Sequence, residues 1–200
     1  YLRNINVRWG AFDLSDVLLM NMTAEERTKL DIRNGDLLLC EGGEPGRCAV
    51  WKHGSTDLSF QKALMRLRPG SQVLPDFLYY AIRWASENNF LTDHFTGTTI
   101  KHLPQAALAK VPLTVAPLAE QIEIVRRIES AFSKMDRLAI QAKRALELVG
   151  KLDEAILAKA FRGELVPQDD NDEPAEKLLE RIRAERAAAP KAKRGRGRKS

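Results

Sequence analysis

Cysteine, histidine and long apolar runs are all scarce in this 200-residue chain. Cys40 and Cys48 are its only cysteines, and His53, His94 and His102 are too scattered to give a zinc-binding spacing. The two thiols flank a turn and could face each other across a hairpin; we expect them reduced, as in a cytosolic protein. No window approaches eighteen apolar residues, so no membrane span is expected, and no stretch reads as a signal peptide. Catalytic signatures are missing too. There is no nucleophile elbow, no H-E-x-x-H, no G-x-G-x-x-G and no Asn/Asp-Pro-Pro-Tyr type methyltransferase site, and the acids are not grouped as a nuclease metal site needs. We therefore expect a non-enzyme that binds neither metal nor cofactor. The chain opens at Tyr1 and not at Met, from which we expect a fragment or a processed chain.

What is plentiful is charge, and it is unevenly placed. The net of +5 and the pI near 9.3 come from the tail: residues 190–200 hold 6 Lys+Arg and no acid. Residues 1–116 are nearly balanced, with 13 Lys+Arg against 12 Asp+Glu. The high pI therefore does not by itself make the front of the chain a nucleic-acid binder.

Residues 1–116 mix strand and helix signals. Leu2–Val7 alternates apolar and polar, and Phe12–Leu19 reads as a second extended piece. Thr23-Ala24-Glu25-Glu26 is a capping box, so a helix to about Leu30 is predicted. Leu37–Cys40, wholly apolar, predicts a buried strand. Arg47–Trp51, Leu58–Leu67 and Lys110–Val115 are further strand candidates. A helix over Phe77–Asn89 follows Pro75, with Phe77, Tyr80, Ala81 and Trp84 on one face.

From Pro117 to Phe161 the composition changes to that of one long helix, rich in Ala, Leu, Glu, Lys and Arg, with Gly150 its one glycine. Val125, Ile128, Phe132, Met135, Ala139, Ala142, Leu146 and Val149 alternate at steps of three and four, the narrow seam of a coiled coil. At about 1.5 Å per residue the helix reaches roughly 65 Å, too long to be covered by any upstream segment. We expect a spacer or docking helix laid along a partner. Gly163 supplies its stop, an acidic loop follows, and Ala175–Ala188 is a short charged helix. The expected divisions are 1–116, 117–161, 162–189 and a disordered basic tail, 190–200.

Two glycine-centred segments hold the binding candidates. Gly42-Gly43-Glu44-Pro45-Gly46-Arg47 lacks the G-K-[ST] ending of a phosphate loop. It is either a plain tight turn or one that aims Arg47 at a DNA phosphate or base. Thr96, Thr98, Thr99, Lys101 and His102 surround Gly97 and suit phosphate or base-edge contacts, as well as an ordinary solvated loop. Lys62, Arg66 and Arg68 alternate along a strand candidate and would share a face, either simply wet or turned to the DNA backbone.

Taken in order, several stretches resemble the specificity subunits of type I restriction–modification systems. They are Tyr1-Leu2-Arg3-Asn4-Ile5-Asn6-Val7, Gly35–Arg47, Phe95-Thr96-Gly97-Thr98-Thr99-Ile100-Lys101, Val115-Ala116-Pro117-Leu118-Ala119-Glu120-Gln121-Ile122, and Ala160-Phe161-Arg162-Gly163-Glu164-Leu165-Val166-Pro167-Gln168 running into Asp172–Ala175. The set spans residues 1 to about 186 and is similar to that family's C-terminal half. The resemblance implies an α+β (mixed α/β) target recognition domain, a long coiled-coil-forming helix and a short C-terminal helix. It implies a cytoplasmic, non-catalytic, sequence-specific DNA-binding subunit that reads one half of a bipartite site on double-stranded DNA. The implied partners are methyltransferase subunits, restriction (translocase/nuclease) subunits, and another copy or the missing N-terminal half along the helix. The whole complex, not this chain, is implied to use S-adenosylmethionine, ATP and Mg. The competing reading is a coiled-coil protein-interaction scaffold without specific DNA binding.

The tail yields a prediction on charge alone. Lys191, Lys193, Arg194, Arg196, Arg198 and Lys199 have no apolar anchor and can meet phosphates only as mobile charges. Deleting 190–200 should weaken DNA binding equally on all sequences and flatten its salt dependence, measured by fluorescence anisotropy; a changed sequence preference contradicts this.

Overall fold

The computed structural model describes residues 1–54, 57–167, 169 and 171–188. They divide into two units, Tyr1–Asp136 and Arg137–Ser200. The division falls inside the long helix and not at 116/117, because the helix's first turns pack into the globular unit, where Gln121 and Val125 are buried.

The centre of the first unit is a three-stranded antiparallel sheet in the order β4-β3-β5, with β3 Leu37–Cys40, β4 Cys48–Val50 and β5 Leu64–Leu67. Because β3 lies in the middle and both faces are covered, all four of its residues are buried, which is why it reads as an unbroken apolar run. Leu37, Leu39, Cys48, Val50 and Met65 face one core, completed by Tyr79, Ile82 and Ala85 of helix α2 (Pro75–Glu87). Leu38, Cys40, Ala49, Trp51 and Leu64 face the other, with Leu2, Val7, Ile32 and Phe60. The register pairs Cys48 with Leu39, so Cys40 and Cys48 lie on opposite faces and do not confront each other across the hairpin. Both thiols are free, and burial pushes each up from its ordinary value.

Several expected extended segments are shorter or absent. Leu2–Val7 is interrupted by a 3₁₀ turn at Asn4–Asn6, where the buried Asn6 side chain accepts from Arg3 N (2.8 Å) and donates to the carbonyls of Asp13 and Asp16 (2.9 Å each). The strands there are only β1 Val7–Arg8 and β2 Ala11–Phe12, paired as a small ribbon, and those side-chain bonds hold the chain beyond them out of a ladder. Of Leu58–Leu67 only the β5 segment pairs as a strand. Lys110–Val115 pairs with nothing among the described residues; Pro112 lacks a donor, and Val111 and Leu113 pack sideways on the first core. The turn of helix α3 (Gln105–Leu108) was not foreseen.

The helices follow their local signals. Helix α1 (Ala24–Lys29) carries the full capping box, with Thr23 N donating to Glu26 Oε2 at 2.9 Å and Glu26 N to Thr23 Oγ1 at 3.2 Å. Helix α4 runs from Leu118 to Phe161. It ends in a Schellman motif: Glu164 N donates to Lys159 O, Gly163 N donates to Ala160 O, and Gly163 takes φ +70°. In the second unit, helix α5 (Ala175–Ala188) buries no residue, and neither does α4 beyond Val125. The expected tail lies outside the described residues. Among the described residues no helix is long and apolar enough to cross a membrane.

Arginines hold the first unit together. Asp36, 1% exposed, accepts from Arg68 Nε and Nη2 at 2.7 Å each and from Arg33 N at 2.7 Å. Asp31 accepts from Arg33 Nε and Arg66 Nη1. Burial raises the Asp31 carboxyl, but the Arg33, Arg68 and Arg66 guanidiniums outweigh it and hold the group below its ordinary 3.8. Because that folded value is depressed, the Asp31 contribution is in place above the unfolded value and is lost as pH falls through the folded one. Asp36→Ala should destabilise by about 3 kcal/mol, since it leaves Arg33 N without its acceptor and the half-buried Arg68 guanidinium with only its longer contact to Asp31. Urea unfolding of the variant measures this, and a loss under 1 kcal/mol would contradict it.

Candidate nucleic-acid interface

Strand β3 runs out at Cys40 into the first glycine segment. Gly46 N donates to Cys40 O (3.0 Å) and Cys40 N to Arg47 O (2.8 Å), closing a tight turn. Gly46 takes φ +97°, a conformation that favours glycine, and a Cβ there would stand 2.8 Å from Leu91 Cδ1, so the leucine side chain would have to shift for any other residue. In the second segment Thr96 and His102 exchange backbone hydrogen bonds of 2.8 and 2.9 Å, closing a loop over 97–101. Gly97 turns it with φ +86°.

These two segments, distant in sequence, meet at one end of the central sheet. His102 bridges Gly42, Leu103 N donates to Glu41 O at 2.8 Å, and Asn4 Nδ2 donates to Gly42 O at 3.1 Å. A Cβ on Gly42 would touch the His102 ring at 3.0 Å, so the loops are in close contact there. Thr96, Thr98, Thr99, Lys101 and His102 are all exposed on this surface. Lys62 is exposed beside them, in the turn before β5 where Glu41 N donates to Ala63 O (3.1 Å).

The arginines singled out from sequence point inward. Arg47 is 16% exposed; its Nη1 donates to Glu44 Oε2 (2.8 Å) and its Nη2 to Asn4 O (2.9 Å). It pins the turn to the 3₁₀ segment. Arg66 pairs with Asp31 and lies over the Phe60 ring at 5.7 Å. Lys62, Arg66 and Arg68 thus form no common strip, because Lys62 precedes the strand and both arginines are held by acids. Among the described residues no group of three His, Cys, Asp or Glu could hold a metal ion.

The model of the type I restriction modification DNA specificity domain matches residues 19–148. The chain belongs to that family. It is 31% identical to the specificity subunit of the type I restriction enzyme EcoKI of Escherichia coli K12, over 94% of this chain and 44% of that protein. It is 40% identical to the EcoDI specificity subunit of Escherichia coli, over 56% of this chain and 28% of that one. The chain thus spans less than half the length of these curated relatives. A chain from a solved structure on complex assembly and conformational transition of the type I R-M system superposes with a TM-score of 0.51 at 26% identity, over 67% of this chain and 32% of that one. The structure and this superposition bear out the mixed α+β class with its long helix, and membership places the chain among proteins with the type I DNA specificity domain.

Within this family member the helix seam is used in two ways. Val125 is buried and Ile128 half-buried in the first unit, while Phe132 stacks near Tyr80 with ring centroids 6.3 Å apart. The start of the seam therefore does serve a globular core. Met135, Ala139, Ala142, Leu146 and Val149 are exposed. Phe77, Tyr80, Ala81 and Trp84 do share a face of α2, but it lines an open apolar groove of about 780 Å³ with Ile124 and Ile128, whereas Tyr79, Ile82 and Ala85 face the core.

Sequence reasoning missed Gln121 as a structural group. Fully buried, it accepts from Leu74 N (2.8 Å) and donates to Gln72 O (2.9 Å) and Ala116 O (2.7 Å). Its place one turn before Val125, on the line of the seam, is the signal that could have found it.

Arg47 and Lys101 can now be told apart. Arg47→Ala should lower stability by about 2 kcal/mol by removing the charge-assisted bond from its guanidinium to Asn4 O, which then keeps Val7 N and the long Cys40 Sγ contact as donors. Lys101→Ala should leave the urea midpoint unchanged while weakening DNA binding uniformly across sequences. Equal effects of the two changes on stability would contradict the assignment.

Proposed function

We propose that this chain reads one half of a bipartite site on double-stranded DNA and, through its long helix, joins methyltransferase subunits and by way of them restriction (translocase/nuclease) subunits. The observation that carries the reading is the meeting of the 42–47 turn and the 96–102 loop at one end of the sheet, with threonines, Lys101 and His102 outward. Such side chains suit phosphate and base-edge contacts. S-adenosylmethionine, ATP and Mg belong in this proposal to the partner subunits, and the setting is the cytoplasm.

The bare seam from Met135 to Val149 supports pairing with a second long helix, from another copy or from the other half of the same subunit. Ala139 and Ala142 in mid-seam let two backbones approach closely. A pair of fixed length then sets the distance between the two half-sites.

Inserting four residues near Arg144 lengthens the helix by about 6 Å. The spacer of the recognised site should grow by at most about two base pairs at 3.4 Å per pair, with the half-site sequences unchanged. Mapping of methylated adenines in cells carrying the variant checks this, and an active variant that keeps the old spacer overturns the ruler. A wild-type chain that selects no DNA sequence overturns the recognition reading itself.

A further inference from the structure

Beside the two loops lies a hollow of about 400 Å³ to which no role has been given. Its floor is apolar, made by Phe60, Leu64 and Met65. Lys29, the last residue of α1, and Lys62, in the turn before β5, are exposed at its rim. Glu41, the residue after β3, and Gln105, the first residue of α3, also line it. The hollow is continuous with the loop surface: Glu41 is the neighbour of Gly42 and accepts from Leu103 N, two residues before Gln105.

We infer that this hollow is a base-reading site, with Glu41 and Gln105 directed at base edges and Lys29 and Lys62 holding the flanking phosphates; the inference rests on the DNA-recognition reading above. The backbone of Glu41 is engaged on both sides, to Ala63 O and from Leu103 N, which fixes where its side chain starts. Among the described residues the carboxylate enters no ion pair of the first unit, and neither lysine does, although both lie within electrostatic reach of Glu26. Arg66, which also lines the wall, is held by Asp31 and shapes the hollow without reaching out of it. A carboxylate beside phosphates is repelled, so between two lysines its favourable target is a donor such as the cytosine N4 amino group. An amide pairs in bidentate fashion with adenine N6 and N7, whereas lysines meet phosphates as point charges.

The test uses the full chain, a pool of random duplexes with sequencing of the bound fraction, and anisotropy titrations from 50 to 200 mM salt. Glu41→Gln and Gln105→Ala should each relax one position of the selected sequence, losing about 5- to 150-fold in discrimination there, while other positions stay. Lys29→Ala with Lys62→Ala should keep the sequence and reduce the slope of log K against log salt by about 2. Lys29, Lys62 and Gln105 are exposed and Glu41 is half-buried, and an unchanged melting temperature for each variant separates recognition from folding. A wild-type chain that selects a sequence which all the variants keep, at the same salt slope, overturns this inference alone. A wild-type chain that selects none overturns the recognition reading and this inference with it.

Discussion

One buried amide connects the recognition unit to its helix. Gln121 has no exposure and three hydrogen bonds, to the chain entering α2 at Gln72 and Leu74 and to Ala116 just before α4. Helix α2 begins at Pro75 with no cap from the side chain of its N-cap residue Leu74, and the Gln121 oxygen accepts the backbone N–H of Leu74 itself, fixing the chain where it enters the helix. The start of α4 and the start of α2 are therefore set by one group whose bonding capacity is met apart from a second lone pair. A buried amide left half-bonded costs several times what a typical hydrogen bond contributes, so the arrangement tolerates little displacement. The Pro-Leu-Ala-Glu-Gln-Ile stretch thereby acquires a physical reason: Pro117 O receives the first amide hydrogens of the helix, and the glutamine four residues on locks it in place.

From this anchor the rest is ordered by the sheet. Helix α2 covers one face, the N-terminal segment covers the other, and only the end of β3 beyond Cys40 is left for the loops. The close passage of His102 over Gly42 is possible because position 42 has no side chain. The surface thus has its loops on a rigid base, with both cores directly beneath.

How much of this was legible in the sequence depended on how local the cause was. The capping box at Thr23, the all-apolar β3, the Pro75 helix start and the glycine stop at Gly163 are decided within a few residues, and all stand where they were read. Failures came where a distant partner decides. Asn6 draws the 13–16 segment out of a strand through its side chain, and no periodicity encodes that. Lys110–Val115 has strand-forming residues, but Pro112 has no donor and Val111 and Leu113 are drawn sideways onto the first core. The arginines looked like free cations because the aspartates that neutralise them, Asp31 and Asp36, lie in a different part of the sequence. The loops at 42–47 and 96–102 were each visible as candidates, while their contact depends on register and was not.

The inward arginines and outward lysines have an evolutionary consequence. Arg47, Arg66 and Arg68 support the scaffold, whereas Lys62, Thr98, Thr99, Lys101 and Gln105 stand at the surface and carry none of its core. Substitutions at such exposed positions usually change stability by less than about 0.5 kcal/mol. Mutations there can accumulate without passing through an unfolded ancestor. The outward face is thus free to drift from one chemistry to another while the frame beneath it is inherited unchanged.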